Sequence, residues 1–244
     1  AINLNAGPYI VDVTDILGCS ATTSIIIQDI PGGITSITNI GDVSCFGGND
    51  GTATVSMSGG TIPFTYLWSN SQTTVTASGL TMGSYSIFVT DSNGCADSAN
   101  VTITEPPVLT TITSGDSVSC NGYCDGFAYT IPAGGVAPYG YLWNDPLSQT
   151  NDTATGLCAG NYSTTITDFN NCQVLGSQII SEPDSIVLTE SHSDPHCGQS
   201  DGIATISVTG GIIPYTYNWI NGSTNAFINN VPASTYFVTV TDNN

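Results

Sequence analysis

The sequence predicts an all-β chain of tandem β-sandwich repeats that together form an elongated rod. Three observations support this prediction: the composition, a motif block that recurs at a fixed period, and alternation of apolar and polar residues within each block. Hydrophobic residues make up 40% of the 244 residues, and charged residues only 8%. Strand-favouring Val, Ile, Thr and Tyr are abundant and good helix formers are scarce. We therefore expect strands joined by turns.

The repeat is visible in two motifs. A block of the form Gly-Gly-x-x-Pro-aromatic-x-Tyr-x-Trp ends at Trp68, Trp143 and Trp219, which are spaced by 75 and 76 residues. A second segment begins with Tyr and closes on Thr-Asp, and it occurs four times, at 9–15, 85–91, 162–168 and 236–242. One unit is therefore about 76 residues long. The predicted domains are 1–31 (the C-terminal part of a repeat), 32–107, 108–184, and 185–244, which lacks its last strand. We expect the native polypeptide to continue in both directions.

The predicted strands follow one another in the same order in every unit. A cysteine and an Asp-Gly turn precede an alternating strand, as at Cys45 and Asp50-Gly51. The next strand carries Tyr and Trp on one face, and a later strand opens with Tyr. A short Pro-containing junction, such as Glu105-Pro106-Pro107, ends the unit because Pro cannot donate to a strand ladder. The predicted core residues are Trp68, Trp143, Trp219, Tyr66, Tyr141, Tyr217, Tyr9, Tyr85, Tyr162 and Tyr236. Tryptophan and tyrosine at these places indicate immunoglobulin-like sandwiches.

The charge excludes two classes of partner. The chain has no Lys or Arg and 19 Asp plus Glu, which gives a formal net charge of -19. Nucleic acids and anionic membrane surfaces are bound through cationic side chains, so neither is an expected partner. There is also no run of 18 apolar residues that would predict a membrane span.

Eight cysteines in a strand-rich chain predict a disulfide framework, and hence a secreted, extracellular protein. Pairing the first and last cysteine of each unit gives Cys45–Cys95 and Cys120–Cys172, and Cys124 then pairs with Cys158. Cys19 and Cys197 would have partners outside the sequence. An alternative joins neighbouring repeats, for example Cys45 with Cys172, because immunoglobulin topology places those loops at opposite ends of one domain. Spacing alone leaves both schemes open.

No cofactor is predicted, although calcium is kept as an alternative. Asp91, Asn93, Asp168 and Asp242 lie in turns whose oxygens could bind Ca²⁺, but no segment has the full spacing of a known calcium loop. Asp and Asn also close such turns by themselves. A cluster in the third repeat contains His192, Asp194, His196 and Cys197. We interpret it as a polar connector, predict no catalytic residue, and expect that the chain is not an enzyme.

Six motifs taken together resemble the SprB repeat: Cys-x-Gly, Asp-Gly-x-Ala, Gly-Gly-x-x-Pro-Tyr-x-Tyr-x-Trp, Gly-x-Tyr-x-x-x-Val-Thr-Asp, Asn-Gly-Cys and Glu-Pro. This family occurs in very large surface adhesins of gliding Bacteroidota and is related in appearance to PKD-type domains. The resemblance covers nearly the whole chain and implies export to the cell surface, long filaments and adhesion. Three features depart from the family pattern. Ser234 occupies the position that Gly83 and Gly160 hold in the other repeats, Phe64 replaces the first Tyr, and the second repeat carries the additional pair Cys124 and Cys158.

The function predicted from these features is that of a structural or adhesive segment of a giant cell-surface filament, used for attachment, gliding or capture of other cells. The alternative is a spacer or carbohydrate-binding module of a secreted multidomain enzyme. The expected partners are neighbouring repeats and further copies of the chain in a multi-stranded homo-oligomeric fibre. The copies would pack through outward apolar residues such as Ile10, Phe88 and Phe237. We expect the adhesive target to be recognised elsewhere in the protein. Asp-Ser/Thr-aliphatic segments resemble the O-glycosylation signal of exported Bacteroidota proteins, at Ser98, Ser117, Thr153 and Ser185.

Overall fold

The computed structural model describes residues 2–244, and in that range it contains β-strands and no helix. The chain divides into two compact units, residues 1–106 and 107–244. This division lies one residue before the predicted boundary at 107/108, and the other predicted boundaries stay predictions.

The first unit contains a hairpin followed by a sandwich. Its strands are β1 (Gly7–Thr14), β2 (Ser20–Ile27), β3 (Ile34–Gly41), β4 (Gly51–Ser58), β5 (Thr65–Trp68), β6 (Thr76–Leu80), β7 (Gly83–Thr90) and β8 (Ala96–Ile103). One sheet has the order β3-β4-β6 and the other β5-β7-β8, and every pairing is antiparallel. The hairpin β1-β2 corresponds in sequence to β7-β8.

The second unit contains two further copies of this arrangement. Its strands are β9 (Thr110–Asp116), β10 (Gly126–Ala133), β11 (Gly140–Trp143), β12 (Thr153–Leu157), β13 (Gly160–Thr167), β14 (Gln173–Ile180), β15 (Val187–Ser193), β16 (Gly202–Thr209), β17 (Thr216–Trp219), β18 (Phe227–Val231) and β19 (Val238–Thr241). The sheets are β9-β10-β12 with β11-β13-β14, and then β15-β16-β18 with the two-stranded β17-β19. Three-stranded sheets of this order match the A-B-E and C-F-G strands of immunoglobulin-like domains. The prediction of tandem immunoglobulin-like repeats is confirmed.

The tryptophans lie at the centre of each sandwich. Trp68, Trp143 and Trp219 are 1%, 1% and 3% exposed. Each indole N–H donates to a backbone carbonyl in the loop that follows, with N–O distances of 2.8 to 2.9 Å. Burial of a large ring together with a satisfied donor stabilises the sandwich on both counts.

The predicted core tyrosines are only half-buried. The physical reason is the hydroxyl group, which must reach water or an acceptor at the end of the sandwich. The tyrosine that opens the later strand of each repeat donates its hydroxyl to the carbonyl four residues earlier, at 2.9 to 3.2 Å. This is the tyrosine corner of immunoglobulin-like folds. The four residues are Tyr9, Tyr85, Tyr162 and Tyr236.

The predicted disulfides Cys45–Cys95 and Cys120–Cys172 are wrong. Cys95 and Cys120 are free thiols, as are Cys19 and Cys197, whereas Cys45 and Cys172 are each disulfide-bonded. The reason is the length of the last strand. Cys95 directly precedes β8, while the N–H of Val43 donates to the carbonyl of Thr104, just past the other end of that strand.

Eight residues rise about 26 Å along a strand, whereas the Cα atoms of a disulfide lie about 4.4 to 6.8 Å apart. The second repeat has the same geometry, because Val118 bonds to Ser181 beyond the far end of β14. The third predicted pair, Cys124–Cys158, is confirmed. The outside partners predicted for Cys19 and Cys197 stay predictions, as does pairing across repeats.

Candidate functional site at the junction between repeats

The junction between the second and third repeats is held on both sides. Glu182 and Asp184 flank Pro183 between β14 and β15. The Glu182 carboxylate accepts the N–H of Gly122 in the second repeat at 2.9 Å, and the Asp184 carbonyl accepts the N–H of Gly211 in the third repeat at 2.7 Å. Because these bonds reach into different repeats, they restrict rotation of the connecting segment.

A glutamate in the corresponding place has the same role in the first unit. Glu105 accepts the N–H of Gly47 at 2.7 Å. Both glycines belong to the Cys-x-Gly motif, and both glutamates to the Glu-Pro motif. The Glu-Pro motif was predicted only to end a strand and form a short junction. The joint recurrence of the two motifs was the available signal that they bind each other.

The Asp that closes each Tyr-to-Asp strand organises the turn behind it. Oδ1 of Asp168 accepts the N–H groups of Asn170 and Cys172, each at 2.9 Å, and Oδ2 accepts that of Val136 at 2.9 Å. Asp91 makes the corresponding bonds to Asn93 and Cys95. Each carboxylate therefore joins the turn of one sheet to the Gly-Gly segment that begins another strand.

The pKa of one such carboxyl is shifted by this arrangement. Burial acts to raise the pKa of Asp91, but backbone N–H groups, that of Cys95 first and that of Thr61 next, outweigh it, and the pKa lies below its ordinary value. The ionised form is thus the one that fits the fold.

The proposed calcium residues are engaged in these turns. Asp91, Asp168 and Asp242 accept backbone N–H groups, and the side-chain amide of Asn93 donates to Thr61 Oγ1 at 2.8 Å. Within residues 2–244 no group of three or more His, Cys, Asp or Glu side chains is placed to hold a metal ion. These side chains therefore serve to close turns, and calcium binding stays untested.

The histidine cluster in the third repeat forms part of another recurring turn. The Asp of each Asp-Gly pair accepts the N–H of the residue before the cysteine: Ser44 to Asp50, Ser119 to Asp125, and His196 to Asp201. His196 Nδ1 also lies 2.7 Å from Asp201 Oδ2. At the corresponding place in the second repeat, the Ser119 hydroxyl donates to Asp125 Oδ2. The hydrogen bond from the His196 side chain holds the pKa of Asp201 below its ordinary value. His192 lies 3.8 Å from Asp194, and both are well exposed.

Cys120 and the turn at Asp242 meet beside the junction. Both line a cavity of about 220 Å³, together with Pro183 and Gly211. The side-chain amide of Asn244 donates to the carbonyl of Ser119, the residue before Cys120. The free thiol of the second repeat therefore lies against the closing turn of the third.

A larger cleft of about 600 Å³ lies in the third repeat, along β15, β16 and β19, with Trp219 and Tyr236 in its wall. In the other two repeats the last strand occupies this side, because β8 packs against β3 and β14 against β9. The sheet β17-β19 has no third strand within the described residues. The cleft therefore corresponds to the place of a last strand.

The residues of the glycosylation signal differ in accessibility. Ser98, Ser117 and Ser185 are exposed, while Thr153 is half-buried and its hydroxyl donates to Asp152 at 3.0 Å. Glycosylation of these residues stays a prediction.

Comparison with known proteins supports the motif analysis. The SprB-repeat family model matches residues 37–73 and 189–224. Each match runs from the first strand of a repeat to just beyond its tryptophan, so both cover the same part of the unit. The resemblance to the SprB repeat is confirmed for these two stretches. No curated protein sequence matches the chain.

The chain is weakly similar to several solved structures of multi-domain proteins. One is the N-terminal eight-domain fragment of Down Syndrome Cell Adhesion Molecule isoform 1.30.30, at 11% identity and a TM-score of 0.27, covering 100% of this chain. The chain spans 59% of that fragment's length. Another is a tetra-tandem repeat in the extending region of a large adhesion protein, at 17% identity and a TM-score of 0.25, covering 98% of this chain and 74% of that one. Likenesses this weak say nothing about function.

Within residues 2–244, no helix is long and apolar enough to cross a membrane.

Proposed function

We propose that this chain is a structural segment of an extracellular, adhesin-like repeat protein, supplying length and stiffness while target recognition lies elsewhere. The observation that carries the proposal is the junction at Pro183. Hydrogen bonds that Glu182 and Asp184 accept tie the connecting segment to the repeats on either side. A protein that transmits force or holds a distance needs connections of this kind, because a flexible linker would let successive domains rotate.

Two further observations fit an extracellular location and a fibre. The Cys124–Cys158 disulfide would be reduced in a cytosolic environment. The two stretches that match the SprB repeat also point to surface adhesins, in which such repeats occur. The finer proposal is a giant filament of the cell surface, used for attachment, gliding or capture of other cells.

Sugar binding by the repeated aromatic residues is not favoured. Stacking on a sugar requires an exposed ring face, and the three tryptophans are at most 3% exposed. We therefore propose a non-enzymatic, load-bearing role in preference to a carbohydrate-binding module or enzyme spacer.

The fibre is proposed to contain more than one copy of the chain. The outer face of β9-β10 carries exposed apolar side chains, with Ile112 paired directly opposite Ile131 and Tyr129 and Phe127 further along the same strand. We name these four residues the β9-β10 stripe. The residues Ile10, Phe88 and Phe237 also point outward, as the alternation predicted. Lateral packing of such surfaces would remove apolar area from water.

Immunogold electron microscopy of native cells tests the proposed function. Antibodies raised against the 244-residue chain are expected to label extended filaments at intervals along the cell surface, and pre-absorption with the same chain is expected to remove the label. Label confined to compact secreted particles would contradict the proposal and favour a spacer in a soluble enzyme.

A further inference from the structure

We propose that the second and third repeats are joined covalently, by a disulfide between the Cys-x-Gly cysteine of the second repeat and the cysteine of the closing turn in the third. In the second and third repeats the bond would link Cys120 to the residue four positions after Asp242, at position 246 of a continuing chain. The proposal holds whether or not the repeats belong to an adhesive fibre.

Cys120 has no free cysteine within disulfide reach in its own repeat. Cys172 lies before β14 and Cys120 lies beyond the other end of the same strand, about 26 Å away by strand rise. The Cys124 thiol is already committed to Cys158. Cys120 is instead half-buried and lines a small cavity together with Gly211 and Asp242 of the following repeat.

The closing turn at Asp242 has the form of turns that carry a cysteine. Three copies of the turn are complete, and in each the residue four positions after the Asp is a cysteine whose N–H donates to Asp Oδ1 at 2.9 Å: Cys19 to Asp15, Cys95 to Asp91, and Cys172 to Asp168. A fourth copy built in the same way would hold its cysteine backbone 2.9 Å from Asp242 Oδ1, as in these three. Asp242 itself lines the Cys120 cavity.

The cysteines at the corresponding positions are in disulfides. Cys45 occupies the Cys120 position of the first repeat, and Cys172 occupies the closing-turn position of the second; each is disulfide-bonded. The free Cys120 takes its partner, under the same pairing, from the closing turn of the third repeat.

The chemistry requires an oxidant. Two thiols lose two protons and two electrons as the S–S bond forms, and a small-molecule disulfide such as oxidised glutathione accepts both and leaves as two thiols. The product would bridge the junction at Pro183 in parallel with the main chain. A pull along the chain would then have to break the bridge before the repeats could separate at that junction.

The test extends the 244-residue chain at its C-terminus with a copy of its own segment 94–106, which supplies Gly and Cys at positions 245 and 246 and the last strand of the third repeat. With the existing disulfides left intact, the four free cysteines and the appended one give five maleimide labels before oxidation by oxidised glutathione. After oxidation we expect a loss of two labels. Pepsin digestion without reduction is then expected to release Cys120 linked to the appended cysteine.

Two matched controls accompany it. Cys120→Ser, or serine in place of the appended cysteine, is expected to abolish the linked peptide without changing the circular dichroism spectrum. An appended cysteine linked mainly to Cys197, or left unlinked beside a labelled Cys120 in a folded chain, would overturn the proposal.

A second variant covers the case in which the extension does not fold. Asn244→Cys, in the unextended chain, places a thiol where the side chain now touches the Ser119 carbonyl. It is expected to crosslink to Cys120, whereas Asn221→Cys, beyond the opposite end of β17, is expected not to. Equal crosslinking of the two variants would contradict the placement of Cys120 at the junction.

Discussion

At the scale of single residues, the second glycine of each Gly-Gly pair is required by its neighbours. Gly135 has a φ of 58°, and a Cβ there would lie 2.7 Å from Oδ2 of Asp168. Gly60 and Gly211 have φ angles of 72° and 64° and face the Asp of their own repeats in the same way. A side chain would therefore disturb the carboxylate that holds the turn, in addition to adopting a backbone conformation that L-residues disfavour.

Gly135→Ala is accordingly expected to lower the free energy of unfolding by about 1 to 3 kcal/mol, the usual cost of a strained backbone site. Gly140→Ala is the matched control, because Gly140 lies in β11 and its added Cβ would meet only the Thr167 carbonyl at 3.9 Å. Differential scanning calorimetry of both variants measures the effect. Equal Tm values for the two would show that the Asp168 contact is unimportant.

Stability is expected to fall in acid because of carboxyls such as Asp91. Hydrogen bonds hold its folded-state pKa below the unfolded value of about 3.9. The unfolded state therefore binds more protons in this window, so the stabilisation is present above pH ~4 and is lost as the pH falls through the folded pKa. Asp50, Asp97, Asp125, Asp145 and Asp201 have lowered pKa values as well and act in the same direction.

Asp91→Asn tests this at one site. The variant is expected to have a lower Tm at neutral pH and a smaller fall in Tm on acidification than the unmodified chain, since the titrating group is gone. Asp29→Asn, on the exposed linker, serves as the control for removing one carboxylate from the surface. Addition of calcium or a chelator is expected to shift no Tm, and a calcium-dependent rise that is lost in Asp91→Asn would show that the turn binds the ion.

At the scale of strands and turns, the sequence was informative where a pattern is local. Period-two alternation placed Trp68, Trp143 and Trp219 in the core, and the Tyr-to-Asp motif located the strand that carries the tyrosine corner. The pairs Cys45–Cys95 and Cys120–Cys172 were wrong because cysteine spacing does not fix connectivity, although immunoglobulin topology already indicated that the paired loops lie at opposite ends of one domain. Cys95 and Cys45 belong to one repeat yet lie at opposite ends of β8. The hydrogen bond that Glu182 accepts was likewise not predicted, because its donor, Gly122, lies 60 positions away in the sequence.

The disulfide confined to the second repeat can be transferred to the first. Cys124 and Cys158 correspond to Asn49 and Thr81, both exposed. The backbone spacing is nearly equal: a Cβ on Gly156 would lie 3.9 Å from the Cys124 carbonyl, and one on Gly79 would lie 3.8 Å from the Asn49 carbonyl. The strands joined there also pair alike, Gly126 with Leu157 and Gly51 with Leu80.

The double variant Asn49→Cys/Thr81→Cys is therefore expected to form a disulfide on oxidation and to stabilise the first repeat by up to about 4 kcal/mol, the chain-entropy value for a loop of this length. The measurements are peptide mapping without reduction and calorimetry with and without a reductant. Asn49→Ser/Thr81→Ser isolates the loss of the original side chains. A disulfide that forms without raising Tm above this control would contradict the loop-entropy argument at this site.

At the scale of the whole molecule, charge and apolar surface oppose one another. A formal charge of -19 without any Lys or Arg makes every approach of two chains repulsive at low ionic strength. The exposed β9-β10 stripe favours association instead. Raising the salt concentration to about 0.15 M shortens the Debye length to about 8 Å and weakens the repulsion, while the apolar attraction persists.

The proposed lateral packing consequently predicts association that increases with salt and depends on the stripe. Sedimentation velocity of the 244-residue chain is expected to show a shift to larger species as salt and protein concentration rise. Ile112→Thr/Ile131→Thr is expected to remove that shift, because it replaces the two directly paired side chains by polar residues that retain strand preference. Ile62→Thr, at a position 76% exposed in the first unit, controls for a general loss of surface hydrophobicity. Association that is equally strong in both variants would assign the contact between chains to a different surface. A chain that stays monomeric at every salt concentration would contradict packing between these repeats.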